Sequence, residues 1–113
     1  MGGAESVATN AVLIITSVGS ADEADRIANA LVFERLAACV QILPVTSVYR
    51  WHGKVERAGE LALHIKTTAA QARAIEARLT ALHSYELPEF IVLPIVAGSA
   101  AYVAWLDEGA QSG

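Results

Sequence analysis

The sequence predicts an α+β fold in which two principal helices pack on one face of an antiparallel sheet. A strand–helix–strand unit occurs twice, and a tight turn joins the two units, so that the strands beside it form one hairpin. The length, 113 residues, suits one domain. This order is that of a ferredoxin-like βαββαβ sandwich with a long central hairpin and an extra C-terminal helix. We expect a flexible leader over residues 1–10, a single domain over 11–108 and a flexible tail over 109–113.

The first strand and helix are predicted by a change in periodicity. Residues 11–18 (AVLIITSV) are a β-branched apolar run of strand length, too continuous to have one face in water. Gly19 and Ser20 interrupt this run. Ser20 and Glu23 form a capping box, in which the Ser20 hydroxyl accepts from the Glu23 N–H and the Glu23 side chain bonds back to Ser20. Apolar residues at helical spacing then predict an amphipathic helix to about Arg35.

The central segments 36–51 and 54–67 predict one long hairpin. β-branched and aromatic residues dominate the end of the first arm, and apolar and polar side chains alternate along the second. His52 and Gly53 supply the turn. Pro44 cannot donate to a strand ladder, so it predicts a bulge or an exposed edge. Fourteen extended residues, the length of the second arm, would span ~46 Å at ~3.3 Å per residue, whereas a ~100-residue domain has a radius of gyration near ~13 Å. We therefore expect the hairpin to overhang its domain and reach a neighbouring chain.

The second half of the chain repeats the pattern. Thr68 and Gln71 form a second capping box, and apolar residues on one face predict a helix directly after it. Residues 90–96 (FIVLPIV) predict a strand that is apolar on both faces. Ser99 is the expected N-cap of a short terminal helix over residues 100–108.

The composition argues against two classes of partner and favours a third. The net charge is −4 and no basic stripe occurs, so nucleic acid is not an expected partner. The longest unbroken apolar run, residues 90–97, is far shorter than the ~20 residues that span a bilayer, so no membrane segment is predicted. Apolar residues make up 54% of the chain and charged residues only 18%. A small domain cannot bury such a surplus by itself, which predicts burial against other copies of the chain.

The expected location is the cytoplasm. No Lys or Arg precedes Arg26, so the basic start of a secretory signal is missing. Cys39 is the single cysteine, which excludes an internal disulfide framework and suits a reducing compartment. Met1-Gly2 with Ser6 also fits the loose myristoylation pattern, but we prefer to interpret these residues as a disordered leader.

Four stretches of the chain resemble the signature stretches of one family. They are ERLAACVQILPVTSVYRWHGKVE (34–56), ELALHIKT (60–67), HSYELPEFIVLPI (83–95) and YVAWL (102–106), in the same order and with similar spacing. In these stretches the chain is similar to the CutA divalent-cation tolerance proteins. The resemblance implies a ferredoxin-like fold, a stable homotrimer and a role in the tolerance or binding of divalent metals, copper above all. It implies no assigned enzymatic activity and no organic cofactor.

The candidate metal ligands are Cys39, His83 and Glu86. Imidazole suits Cu(II) and Zn(II), a carboxylate adds charge, and a thiolate is a soft ligand. The residues alone also allow plain structural roles, since His83 could interact with the end of the second helix and Cys39 could be a small buried residue. The resemblance implies that the three form a metal set, which adjacent subunits could complete. This set would hold Cu(II) or another divalent cation weakly and reversibly.

One position departs from the family pattern. The family usually has proline where this chain has Ser84. Proline would fix its own φ and restrain His83 to an extended conformation. Serine relaxes both restraints, which leaves open how His83 and Glu86 are held in place.

A second interpretation belongs to a different functional class. Trimers of ferredoxin-like subunits, as in the PII-like regulators, hold small ligands or partner proteins in clefts between subunits. An organic anion or a partner protein would then be bound by a polar set formed by Glu60, Lys66, Tyr85 and Glu86. We expect four aromatic residues to contribute to subunit contacts, namely Tyr49, Trp51, Tyr85 and Trp105. No nucleophile elbow, phosphate loop or Cys-x-x-Cys spacing occurs, so we predict no enzyme.

Overall fold

The computed structural model describes residues 5–111. Its elements are β1 (Ser6–Ala8), β2 (Ala11–Val18), α1 (Ala21–Phe33), β3 (Cys39–Trp51), β4 (Lys54–Thr68), α2 (Ala72–Leu82), β5 (Ile91–Pro94), β6 (Ala97–Ser99) and α3 (Ala100–Gly109). A 3₁₀ turn, Ala69–Gln71, precedes α2. The predicted order of elements is confirmed, and the short strands β1 and β6 are added to it.

The main sheet has the ferredoxin-like strand order β3-β4-β2-β5, and its neighbouring strands are antiparallel. Directly paired residues, such as Ile14 on β2 and Ile65 on β4, lie on the same face of the sheet. Both are fully buried beneath α1 and α2, together with Ile27, Leu31 and Ile75 of those helices. The hydrophobic core therefore lies on one side of the sheet, as the prediction requires.

One of the two hydrogen bonds of the predicted capping box is present at the start of α1. The Ser20 hydroxyl accepts a hydrogen bond from the Glu23 N–H at 3.2 Å, as expected of an N-cap serine. The Glu23 carboxylate does not return to Ser20. It accepts two hydrogen bonds from Ser84, 61 positions along the chain. A long-range contact therefore replaces the predicted local one.

The second predicted capping box, Thr68 with Gln71, is wrong. The Thr68 side chain makes no capping hydrogen bond. The chain instead passes through the 3₁₀ turn before α2 begins, and the Gln71 side chain donates to the carbonyl oxygen of Ala110 at 2.9 Å. Gln71 thereby joins the start of α2 to the end of α3.

β3 and β4 form the predicted hairpin, in continuous register along all 13 residues of β3. His52 and Gly53 have φ values of 51° and 78°, and positive φ at both central residues is typical of the type I′ turns that suit the twist of a hairpin. Pro44 lies on the edge strand β3 and does not interrupt the register. The exposed edge is therefore correct and the bulge is not.

The hairpin extends beyond the rest of the sheet. β2 pairs with β4 only from Leu61 to Thr68, so the part of β4 from Lys54 to Glu60 pairs with β3 alone. The molecule measures 52 × 28 × 21 Å. The predicted overhang accounts for this elongated shape.

β5 is shorter than predicted. Instead of a strand over residues 90–96, the chain has a strand only over Ile91–Pro94, and its apolar side chains are exposed. Ile91 is 46% and Leu93 41% exposed in the single chain. β5 pairs with β2 on one side and is the sheet edge on the other. An apolar edge strand of this kind favours association with another chain.

The two ends of the chain meet. Residues 6–8, in the segment expected to be a flexible leader, form β1, which pairs antiparallel with β6. This pairing corrects the expectation at those positions, and its physical reason is a partner strand about ninety positions away, for which no local pattern exists. Met1 and Gly2, which carry the myristoylation pattern, lie outside the described residues. No helix within residues 5–111 has the length and apolar character to cross a bilayer.

Candidate functional site

The segment from His83 to Glu89 leads the chain from α2 to β5 and forms a corner. α2 ends at His83, whose backbone is extended (φ −78°, ψ 139°). The buried His83 ring lies with Nε2 2.8 Å from the Ser17 carbonyl oxygen, and its Nδ1 accepts from the Tyr85 N–H at 3.1 Å. Because Nδ1 is an acceptor, the ring proton is on Nε2 and is donated to Ser17. Both ring nitrogens are therefore engaged within the chain.

Ser84 attaches this corner to the start of α1. Its N–H donates to Oε2 of Glu23 at 2.8 Å, and its hydroxyl donates to Oε1 at 2.9 Å. The Glu23 side chain is only 8% exposed, and Oε2 lies 3.7 Å from Nδ1 of His83. Proline at position 84 would remove both donors. However, the ψ of His83 is already within the range that a following proline demands. His83 thus has the extended backbone that a following proline would favour sterically, and here the hydrogen bonds from Ser84 to Glu23 accompany it.

Tyr85 connects the corner to the hairpin. Its hydroxyl donates to Oε2 of Glu60 on β4 at 2.6 Å. Burial of the phenol, followed by the hydrogen bond to Glu60, raises the pKa of Tyr85 above its ordinary value of 10.0. Tyr85 therefore stays protonated and donates throughout the neutral range. A Cβ at Gly19 would lie 3.1 Å from the Tyr85 hydroxyl, so glycine at the end of β2 gives this contact its space.

The corner and the hairpin enclose a groove of about 530 Å³, which we call the acidic groove. Its lining includes three aromatic residues, three carboxylates and three serines, namely Tyr49, Trp51, Tyr85, Glu60, Glu86, Glu89, Ser17, Ser47 and Ser84. Glu89 accepts from the Ser17 hydroxyl at 3.0 Å, whereas the Glu86 carboxylate has no hydrogen-bond or ion-pair partner in the described part of the chain. None of the described lining residues is Lys or Arg. The uncompensated negative charge favours cations.

Cys39 lies away from the acidic groove of its own chain. It pairs with Lys66 on β4, whereas Ser17, to which His83 is bonded, pairs with Ala62. Four residues of β4 separate these positions, which is ~14 Å at ~3.4 Å per residue. Two ligands of one metal ion lie within ~4 Å of each other, since each bond is only ~2 Å long. One chain therefore does not bring Cys39 to the His83 corner.

The same conclusion holds for other ligand sets. Across residues 5–111, no group of three or more His, Cys, Asp or Glu side chains is arranged to hold a metal ion. The predicted set of Cys39, His83 and Glu86 therefore stays a prediction for the assembled protein, in which an adjacent subunit would supply the missing ligand.

Lys66 also lies outside the acidic groove. Its Nζ is 3.3 Å from the Tyr102 hydroxyl and 5.5 Å from the centre of that ring. Six residues of β4, or ~20 Å, separate Lys66 from Glu60. The polar set considered for an organic anion is therefore divided, with Glu60, Tyr85 and Glu86 together and the lysine elsewhere. Among its described lining residues, the groove of one chain offers an anion no Lys or Arg.

Comparison with known sequences gives the family. The family model described as "CutA1 divalent ion tolerance protein" matches residues 12–109. The chain belongs to the CutA1 family. It is 46% identical over 97 residues to the divalent-cation tolerance protein CutA of Thermus thermophilus, a match that covers 85% of this chain and 94% of that relative.

Solved CutA structures also resemble the chain closely. CutA from Synechococcus elongatus matches with a TM-score of 0.91 at 39% identity, over 95% of this chain and 96% of that one. CutA from Xylella fastidiosa matches with a TM-score of 0.88 at 40% identity, over 91% and 100% of the two chains. These matches confirm the family resemblance and the ferredoxin-like fold. The general role of the CutA1 family, in divalent-cation tolerance, extends to this chain.

Two residues of the site carry no recognisable signal in the sequence. Ser17 is near the end of an apolar strand, and Glu23 has a local partner in the predicted capping box. Their actual partners, Glu89 and Ser84, lie 72 and 61 positions away. Only the tertiary fold brings these pairs together.

Proposed function

We propose that the chain is a non-enzymatic, homotrimeric protein of the cytoplasm that binds divalent cations reversibly, with Cu(II) ahead of Zn(II). The observation that carries this proposal is the Glu86 carboxylate, which has no partner among residues 5–111 and lines an acidic groove in a chain of the divalent ion tolerance family. A carboxylate in such a field attracts cations, and the usual affinity order of divalent metals places Cu(II) above Zn(II).

The three predicted ligands differ in how readily they can act. Glu86 is available as it stands. His83 becomes a ligand through Nδ1 only when the Tyr85 N–H leaves that atom, because the hydrogen bond occupies the Nδ1 lone pair. Cys39 joins the set only from an adjacent subunit. A site with one free ligand and two conditional ones binds weakly and reversibly, unlike a closed structural site with four ligands.

Folding of the subunit does not require the metal. The core of α1, α2 and the main sheet is formed by apolar side chains, including the fully buried Ile14, Leu31 and Ile75. Burial of such side chains stabilises each by about 1.5–3 kcal/mol relative to exposure. Cation binding is therefore a function added to a stable fold.

The homotrimer is supported by the apolar surface that one chain leaves exposed. Val48 and Val55 on the hairpin overhang are 60% and 65% exposed, and β5 is exposed along its length. β3 and β5 are also the two edges of the main sheet. Pairing of edge strands between subunits in a closed ring would cover both features. Light scattering should give about 36 kDa, three times 11.9 kDa, and a stable species of 11.9 kDa would contradict the trimer.

Calorimetric titration of Cu(II) tests the cation site. We expect binding to the wild-type protein and a loss of at least about tenfold in affinity in Glu86→Gln, which keeps the shape of the side chain but removes its charge. Glu76→Gln is the matched control, because Glu76 is exposed on α2 and does not line the groove. Equal affinities in wild type and Glu86→Gln would contradict the proposal. Titration of Cys39→Ser then shows whether the thiolate of a neighbouring subunit contributes.

A further inference from the structure

The acidic groove has features that a small metal ion does not use. Three of its lining residues are aromatic, namely Tyr49, Trp51 and Tyr85. Aromatic faces attract organic cations through cation–π interactions and also bury their hydrocarbon parts. Carboxylates alone would bind inorganic and organic cations alike, so the aromatic residues are the feature that distinguishes the two.

The carboxylates of the groove are not gathered, within the described residues, into a set that could hold a metal ion. Glu60 and Glu89 each accept a hydroxyl hydrogen bond, from Tyr85 and Ser17, at 2.6 and 3.0 Å. Each is thus held by a different part of the chain, whereas no hydrogen bond from the described residues restrains Glu86. The described chain gathers no three acidic or other ligating groups around one point. Such separated charges fit a ligand that carries several positive groups along its length.

The size of the groove agrees with a small organic ligand. Its volume of about 530 Å³ is within the ~300–1,000 Å³ usual for small-molecule sites. Ser17, on its lining, is only 8% exposed and is held by Glu89. This wall is therefore fixed before any ligand arrives, which reduces the entropy lost on binding.

We propose that the acidic groove, which in the proposed trimer would be a cleft bordered by a neighbouring subunit, binds an aliphatic polyamine, with ammonium groups at the carboxylates and methylene groups against the aromatic rings. No covalent step is involved. The inference goes beyond the divalent-cation proposal, with which it shares Glu86 but not Cys39 or His83. A polyamine and Cu(II) would therefore compete for Glu86, while only Cu(II) would respond to the loss of the thiol.

Calorimetric titration of spermidine into the assembled protein at low salt tests the inference. We expect saturable binding and no heat from 1,5-pentanediol, which has a similar aliphatic body without charge. Glu86→Gln should weaken spermidine binding roughly threefold to tenfold, whereas Glu76→Gln should leave it unchanged. Tyr49→Leu should weaken binding roughly twofold to fivefold, and Tyr49→Phe, which keeps the ring, should not.

The opposite results would overturn the inference. The first is the absence of saturable spermidine binding. The second is an equal loss of spermidine affinity in Glu86→Gln and Glu76→Gln, which would indicate general charge attraction. The third is an equal loss of spermidine affinity in Tyr49→Leu and Tyr49→Phe. Cys39→Ser separates the two proposals, because spermidine affinity should not change in this variant. Cu(II) binding without spermidine binding would refute the polyamine site alone, and spermidine binding without Cu(II) binding would refute the metal site alone.

Discussion

Replacement of Ser84 by proline tests how the corner of the acidic groove is held. Both Ser84 donors bond to the buried Glu23 carboxylate, at 2.8 and 2.9 Å. Proline has neither donor, but the extended backbone of His83 already suits a following proline. The substitution therefore removes the hydrogen bonds without requiring a change in the conformation of the preceding residue.

The size of the effect follows from these contacts. A hydrogen bond to a charged group contributes about 1.5–3 kcal/mol, and we use the lower value because Ser84 is exposed to solvent. Two such bonds give about 3 kcal/mol. Proline restricts the unfolded chain and so stabilises the protein by about 0.4–1 kcal/mol. We therefore expect Ser84→Pro to lower the free energy of unfolding by about 2–3 kcal/mol.

Urea denaturation at one fixed protomer concentration measures this change, since assembly contributes to the stability of an oligomer. The control is the same substitution in a Glu23→Ala background, where the two hydrogen bonds no longer exist. There, Ser84→Pro should be neutral or stabilising by up to about 1 kcal/mol. An equal loss of stability in both backgrounds, or a gain in the wild-type background, would refute the role assigned to Glu23.

Three further expectations concern other parts of the molecule. Arg78 donates two hydrogen bonds to the Glu34 carboxylate, and they lower the pKa of Glu34 below 4.5. The stabilisation from this pair is therefore complete above pH 4.5 and is lost as the pH falls through the lowered pKa of the folded protein. NMR titration should show a higher midpoint for Glu34 in Arg78→Met. Because the pKa of Tyr85 is raised, chiefly by burial and then by Glu60, an ultraviolet titration should show one tyrosine ionising later than the others, and Glu60→Gln should advance it. The same shift means that Tyr85 stabilises the fold below pH 10 and ceases to do so as the pH rises through its folded pKa. Leu93→Asp places a charge on the exposed apolar edge β5, and sedimentation should show a lighter species, whereas an unchanged trimer would place the interface elsewhere.

Much of the fold could be predicted because local patterns determine it. The run at 11–18 became β2 without a change in its bounds, and the Ser20 hydroxyl caps α1 as its position before the helix requires. The His52-Gly53 turn set the hairpin register. The errors occurred where a side chain forms hydrogen bonds with a distant residue instead of the predicted local one. Glu23, for example, bonds to Ser84 and not to Ser20.

The candidate site was predictable only in part, for the same reason. Glu86 was singled out from its place beside His83, and it does line the groove. The sequence does not reveal that both nitrogens of His83 are occupied, because their partners depend on how the corner packs on β2. Cys39 illustrates a further limit of prediction from sequence. Its distance from the corner depends on the strand register, and any contact with the groove of a neighbouring subunit depends on how the subunits assemble.

The claim that divalent cations bind at the acidic groove is tested most directly by diffraction from Cu(II)-soaked crystals at the copper absorption edge. An anomalous difference map locates copper without reference to any assumed ligand. The proposed function predicts a peak within bonding distance of the Glu86 carboxylate, and a contribution from Cys39 of an adjacent subunit would appear in the same map. Copper bound only at other side chains, with no peak beside Glu86, would contradict the account.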